Sequence, residues 1–279
     1  MLSRRSFTLG LAASSLLGAG RSSVHLGAQT NAYKIDDFDG LLGVLGKLQK
    51  FGFAGFETGY RNVQSQFDKP APARDAINAT GLQFFGVHIW MPEYDRETHI
   101  APASLYRNVA LGAAKLGAEH LILSGAPATA QALDKKIVAL NAAGKFGANV
   151  ELRVAYHNEF PEFANGKMEV AALMEGTDPK LVNFVVDMGH AFHAGADVVG
   201  FFGQHHGRIA GMHLRDFRGD EQVPLGQGAF PLAQLAARMK ETQWSGWLLN
   251  EEERVGSKPG DAAMRPARDK LFQVFGGEA

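Results

Sequence analysis

The strongest constraint on this chain is an alternation. Short runs rich in β-branched and large apolar residues lie at 24–30, 52–57, 82–88, 120–123, 150–157, 181–187, 209–213 and 247–251. Between them stand longer stretches with apolar residues at helical spacing, such as Leu41, Leu42, Val44, Leu45 and Leu48, or Leu232, Leu235 and Met239. Strand-length runs alternating with helix-length segments argue for repeated βα units and a parallel sheet. Eight units in about 255 residues match a (β/α)8 TIM barrel, typically about 250 residues long. The competing architecture, a doubly wound open sheet, usually carries a Gly-rich phosphate turn after its first strand, and Val24 to Tyr33 contains none. No linker or composition shift follows residue 22, so a single α/β barrel domain over 21–279 is expected.

With 46% hydrophobic and 20% charged residues in 279, the chain can bury a sizeable core, which excludes a mostly disordered protein. Its 28 basic and 29 acidic residues leave a formal net charge of −1, which argues against affinity for nucleic acid through general positive charge. The absence of cysteine excludes disulfides, thiolate metal sites and cysteine nucleophiles. Ser3-Arg4-Arg5-Ser6-Phe7-Thr8-Leu9 opens an uncharged run to Leu17 that is too short to span a bilayer. Two arginines before such a run resemble a bacterial twin-arginine export signal. Residues 1–20 are therefore expected to direct export to the periplasm, with no stable membrane insertion after cleavage.

In a barrel of this kind the loops after the strands build the mouth, so chemistry gathers where strands end. The runs here end in Gln29 and Asn31, Glu57, His88, His157-Asn158-Glu159, Asp187, His213 and Glu251, whereas their N-terminal halves are almost purely apolar. Asp187 closes an apolar run, Gly189 permits a tight turn, and His190 reaches the same space. A helix N-cap is the competing use of Asp187. For His213 the alternative is a hydrogen-bonded structural histidine. Period-two alternation aims Trp247, Leu249 and Glu251 to one side, with Glu253 as a spare acid. Asp187, His213 and Glu251 thus offer two carboxylates and an imidazole, and His157 is the best-placed fourth donor. Such a mixture suits Mn²⁺, Co²⁺, Mg²⁺ or Zn²⁺ without choosing among them.

These motifs resemble the sugar phosphate isomerase/epimerase group of the xylose isomerase-like barrel superfamily. The likeness rests on Gly52-Phe53-Ala54-Gly55-Phe56-Glu57, Ala155-Tyr156-His157-Asn158 and Val186-Asp187-Met188-Gly189-His190-Ala191. It continues through His213-Leu214-Arg215-Asp216, Pro224-Leu225-Gly226-Gln227-Gly228 and Gly246-Trp247 to Glu251, in order along nearly all of the mature chain. The resemblance implies one divalent metal held by Asp187, His213, Glu251 and a fourth group, with His157 standing where many epimerases of the group have glutamate. It implies a metal-dependent isomerase or epimerase acting on a keto- or aldo-sugar through an enediolate. Glu251, His157 and His88 are the catalytic candidates; Glu57, Asn158, His190 and Arg218 are candidates for substrate binding. With histidine at 157, the second acid/base is open among His88, Glu159 and Glu57. Arg218 has a surface salt bridge to Asp216 or Asp220 as its alternative role, while Trp90 and Phe160 either face a sugar ring or pack in the core. Three other functions belong to the same barrel: a keto-sugar or keto-glycoside lyase, a non-catalytic exported sugar-binding protein, and a metal-dependent endonuclease, which the charge balance opposes. The expected partner is a small carbohydrate, with no nucleic acid and a homo-oligomer left open.

Overall fold

A computed structural model describes residues 23–166, 168–253 and 260–276. Each of the eight runs overlaps a barrel strand: β1 Val24–Gln29, β2 Gly55–Gly59, β3 Gln83–Ile89, β4 His120–Ser124, β5 Arg153–His157, β6 Val182–Asp187 and β7 Ile209–Leu214. A short antiparallel hairpin, β8 Asp216–Arg218 with β9 Glu221–Val223, precedes the eighth, β10 Gly246–Asn250. The strands close in the order β1-β10-β7-β6-β5-β4-β3-β2, with parallel neighbours throughout. Residues 1–20, expected to direct export, lie outside the described residues. No helix among the described residues is long and apolar enough to cross a membrane.

The surrounding helices are α1 Phe38–Lys50, α2 Pro70–Ala79, α3 Ala103–Leu116, α4 Ala130–Ala148, α5 Glu169–Gly176, α6 Met188–His193, α7 Val198–His205, α8 Leu232–Glu241 and α9 Gly260–Phe275. Their ends follow local chemistry. The Asp37 side chain caps α1 by accepting from Gly40 N at 2.7 Å. At the end of α3, Gly117 takes φ 90°, where a side chain would be strained. The stripe Leu41, Val44, Leu45 and Leu48 of α1 is buried, as its spacing requires.

Two apolar layers result. The larger lies between helices and sheet; a smaller one, Phe85, Ile122, Ala155, Val185, Trp247 and Leu249, fills the barrel interior. Trp247 and Leu249 therefore share the inner side that alternation assigned to them. A Cβ on Gly27 would stand 3.2 Å from Trp247, and one on Gly55 only 2.5 Å, so these glycines make room for the indole.

One irregularity matters for function. Pairing between β2 and β3 slips from Phe56↔Phe84 to Glu57↔Gly86, leaving Phe85 as an extra residue. Its displaced carbonyl accepts from His120 Nδ1 at 3.0 Å. The bulge lets Phe85 fill the barrel interior while His88, three residues later, still turns into the mouth.

Candidate metal centre

Beyond the apolar plug, the inward-facing positions of the eight strands form one polar layer: Gln29, Glu57, His88, Ser124, His157, Asp187, His213 and the residue just past β10, Glu251. Each is buried, which for so many polar groups demands partners. Four supply them to a common point. One ligand-type atom from each of His157, Asp187, His213 and Glu251 lies within 4.8 Å of the other three.

Asp187 divides its two oxygens between structure and site. Oδ1 caps α6, accepting from His190 N at 2.8 Å, while Oδ2 turns to the cluster, 3.9 Å from His157 Nε2. Gly189, expected to make a tight turn, is instead helical. A Cβ there would lie 2.2 Å from Arg215 Cγ, so its absence lets Arg215 pack against α6. His213 is gripped from both sides: Nε2 is 2.7 Å from Glu57 Oε2, and Nδ1 contacts Glu251 Oε2 and lies 3.0 Å from His157 Nε2. Asn31 Nδ2 donates to the other oxygen of Glu251 at 2.8 Å.

Burial alone would strip His213 of its charge, but Glu57 and Glu251 on its two sides outweigh that and hold its proton well above the usual histidine range. His157 goes the other way: burial, then the neighbouring His213 and His88, keep it neutral well below that range. Burial opposes charge on Glu251 too, yet Arg215 and His213 hold its carboxyl well below the ordinary value. Arg215 is buried, with Nε 2.8 Å from Asp187 Oδ2 and Nη2 2.6 Å from Glu251 Oε2. These are ion pairs without hydrogen-bond alignment, for both carboxylate oxygens remain without a hydrogen-bond donor. Two buried, unsatisfied carboxylate oxygens converging with two imidazole nitrogens fit a divalent cation. Its uptake would take the place of the His213 Nδ1 proton.

The cluster floors a cavity of about 520 Å³ walled by Asn31, Tyr60, Asn62, His88, Trp90, Glu159 and His190, among others. Glu159 contributes the carboxylate nearest His190 Nε2, at 3.6 Å, and burial raises its pKa to about 8.

The sequence profile of the xylose isomerase-like TIM barrel matches residues 45–273. The chain belongs to that family. It is similar to inosose dehydratase of Salmonella typhimurium, 29% identical over 139 residues, which cover 43% of this chain and 46% of that one. The chain thus matches about half the length of this curated relative. A solved sugar phosphate isomerase/epimerase from Parabacteroides distasonis superposes with a TM-score of 0.73 at 17% identity, covering 93% of this chain and 97% of that one. The IolI protein with a bound zinc atom gives 0.74 at 13% identity, covering 91% and 99%. At these identities the two structures share the fold.

Within this xylose isomerase-like barrel, the residues expected to form the site separate into three groups. His157, Asp187, His213 and Glu251 come together in one cluster able to hold a metal, and His88 and His190 line the cavity beside them. Three expected substrate ligands turn elsewhere. Glu57 is fully buried behind the cluster, with one oxygen on His213 and the other 3.0 Å from His88 Nδ1. The amide of Asn158 is spent on the backbone of Asp187, donating to its carbonyl at 3.1 Å and accepting from its N–H at 3.0 Å. Arg218 is exposed on the hairpin and donates to Gln227 O rather than forming the surface salt bridge considered as its alternative. Trp90 lines the mouth and is 51% exposed, so it is no core residue.

Sequence reasoning missed Arg215 and Ser124. Arg215 stands two residues beyond His213, so alternation carries the signal. Ser124 lies one residue past the apolar run that ends at Leu123, where composition gives no signal. It also missed a buried group behind the mouth, where Lys136 of α4 donates to Glu162 at 3.0 Å and to Glu169 at 2.8 Å. Glu162 accepts there from Tyr156 as well, and its other oxygen accepts from Glu159 N at 2.7 Å, which fixes the start of the loop carrying Glu159.

Proposed function

We propose that the protein is an exported, divalent-metal-dependent enzyme that isomerises or epimerises a keto- or aldo-sugar. The observation carrying this reading is the convergence of His157, Asp187, His213 and Glu251 at the mouth, with buried oxygens of both acids lacking hydrogen-bond donors. A divalent cation held there supplies Lewis acidity, polarising a sugar carbonyl and stabilising charge on its oxygen.

The chain's own residues do the rest. Asn31, Asn62 and Gln29 present amides to the cavity, suited to sugar hydroxyls, and Trp90 offers an apolar face to a ring. The cavity falls within the range of about 300–1,000 Å³ usual for small-ligand sites. Glu251, kept ionised by Arg215 and His213, serves as ligand rather than proton donor. Glu159 lines the cavity and takes the proton from the carbon beside the carbonyl. Returned to the former carbonyl carbon, with the neighbouring hydroxyl hydrogen passing to the carbonyl oxygen, it gives the isomer. Epimerisation takes a proton delivered to the opposite face by a second group or by water. His88 has both ring nitrogens engaged, by Glu57 and by Ser124, and orients the wall.

The likeness to inosose dehydratase favours a second reading on the same centre, loss of water from a keto-sugar. There the base takes the proton beside the carbonyl, the neighbouring C–O bond breaks, and the departing hydroxide leaves as water with a donated proton. A panel of keto- and aldo-sugars incubated with the metal-loaded protein in D2O and followed by NMR tests both. Isomerisation or epimerisation through proton transfer gives deuterium at the carbon beside the carbonyl, and an isomer without deuterium marks a hydride shift. Dehydration gives an unsaturated product, and no conversion of any sugar contradicts the enzyme reading. Export rests on Arg4 and Arg5; fractionation of cells expressing the full chain and an Arg4→Lys, Arg5→Lys variant tests it. Cytoplasmic retention of the unaltered chain would overturn that assignment.

A further inference from the structure

A closed ring of contacts runs behind the centre. Glu57 Oε2 meets His213 Nε2 at 2.7 Å, His213 Nδ1 meets His157 Nε2 at 3.0 Å, and His157 Nδ1 meets Ser124 Oγ at 3.1 Å. Ser124 Oγ meets His88 Nε2 at 2.8 Å, and His88 Nδ1 returns to Glu57 Oε1 at 3.0 Å. Ser124 is the hydroxyl member of this ring, fully buried at the end of β4.

Proton counting fixes its direction. A serine hydroxyl has one proton and two lone pairs. His88 Nδ1 faces the Glu57 carboxylate at 3.0 Å, which places its hydrogen there. That leaves Nε2 as the acceptor nearest the Ser124 hydroxyl, at 2.8 Å against 3.1 Å for His157 Nδ1 and 3.2 Å for Glu159 Oε1. With its proton on His88, or on Glu159, Ser124 presents a lone pair toward His157. Nδ1 of His157 must then be the protonated nitrogen, and Nε2, on the cluster side, carries the free pair. His213 is set in the same way by the Glu57 carboxylate, which accepts from its Nε2 and leaves Nδ1 for the cluster. Both imidazoles are thus oriented from outside, one by a carboxylate and one by a hydroxyl.

We propose that Ser124 is the positioning residue that makes His157 a metal ligand through Nε2, by accepting the Nδ1 hydrogen across the β4–β5 boundary. This rests on the metal-centre reading above. An outer partner of this kind typically contributes 10–100-fold in metal affinity, because it fixes both tautomer and ring orientation. Without the hydroxyl, the nearest remaining acceptor for Nδ1 is Glu159 Oε1, 3.7 Å away, and the ring loses its anchor.

The test is zinc affinity by chelator competition on the whole protein, with ¹⁵N NMR of the histidine rings, for the unaltered chain, Ser124→Ala and Ser124→Thr. The expected result is His157 protonated at Nδ1 and zinc-bound at Nε2 in the unaltered protein. Ser124→Ala should bind zinc about 10–100-fold more weakly at an unchanged melting temperature, and Ser124→Thr, which keeps the hydroxyl, should retain the Nδ1 proton signal. Zinc affinity of Ser124→Ala equal to that of the unaltered chain would overturn the role of Ser124 alone. So would a zinc-bound Nδ1, or loss of affinity explained by a lowered melting temperature with the Nδ1 proton intact. Absence of zinc binding by the unaltered chain would overturn the centre itself, and this role with it.

Discussion

At the base of the barrel His25 stacks on Trp247 with ring centroids 5.0 Å apart, Trp247 packs on Phe85 at 5.3 Å, and Phe85 on His120 at 4.5 Å. At the mouth His88 and His157 lie 4.7 Å apart, and His157 and His213 4.6 Å apart. The spacings are alike and the chemistry is opposite. The base packs its imidazoles against hydrophobic rings; His120 gives its one donated hydrogen to the Phe85 carbonyl, and burial lowers its pKa to about 4. The mouth packs its imidazoles against carboxylates and a guanidinium, and His213 keeps its charge. His120 and His213 are both buried, so the opposite signs of their shifts come from the partners supplied. In barrels of this fold the strand C-termini carry activity and the N-termini stability, and these partners give that division a physical basis.

Substitutions at the two ends should therefore affect different measurements. The largest effect is expected for Asp187→Asn. It retains a capping oxygen for His190 N but removes the charge facing the cluster, so stoichiometric metal binding should be lost while the melting temperature stays close to that of the unaltered chain. Retained metal would break the comparison at the mouth. Trp247→Ala should do the reverse. Emptying the barrel interior costs about 3–5 kcal/mol of stability, read by urea unfolding, with metal affinity unchanged in the remaining folded protein. Glu57→Gln leaves His213 and His88 without their shared carboxylate and should weaken metal binding about 10–100-fold.

The smallest effects are pH slopes of stability. His120 titrates near 4 in the fold against 6.5 in the open chain, so between those values only the unfolded state takes up the proton, and stability falls as pH drops. His120→Asn, which keeps a donor for Phe85 O, should flatten that limb of a melting-temperature profile. Glu252 near the mouth has the opposite sign. Burial raises it to about 8 from 4.5, so the unfolded state loses its proton first and stability falls as pH rises between the two. Glu252→Gln should remove that decline, and an unchanged slope would show that another group sets it.

Much of this arrangement was legible in the chain. Period and length gave the eight strands, and strict alternation put Trp247, Leu249 and Glu251 on the inner side. The same rule separates Phe85 from His88, which stand three apart, and only the bulge at Phe85 brings both inward. An unpaired carbonyl satisfied by a histidine from the next strand leaves no periodic trace in sequence. Glu57 and Asn158 were recognised as polar groups at strand ends, but no pattern tells whether such a group faces substrate or supports a neighbour. That depends on the register of β2 against β3 and of β5 against β6. Lys136 was hidden for a further reason: a lysine beside the apolar stripe of α4 looks solvent-exposed until Glu162, and Glu169 of α5, fold over it.

The central claim is one cation shared by four side chains at the barrel mouth. Anomalous diffraction from crystals of the zinc-loaded protein, recorded across the zinc absorption edge, tests it most directly. The expected result is a single peak within about 2.0–2.3 Å of His157 Nε2, His213 Nδ1 and one oxygen each of Asp187 and Glu251. A peak bound by other residues, or none in a zinc-saturated crystal, would contradict it.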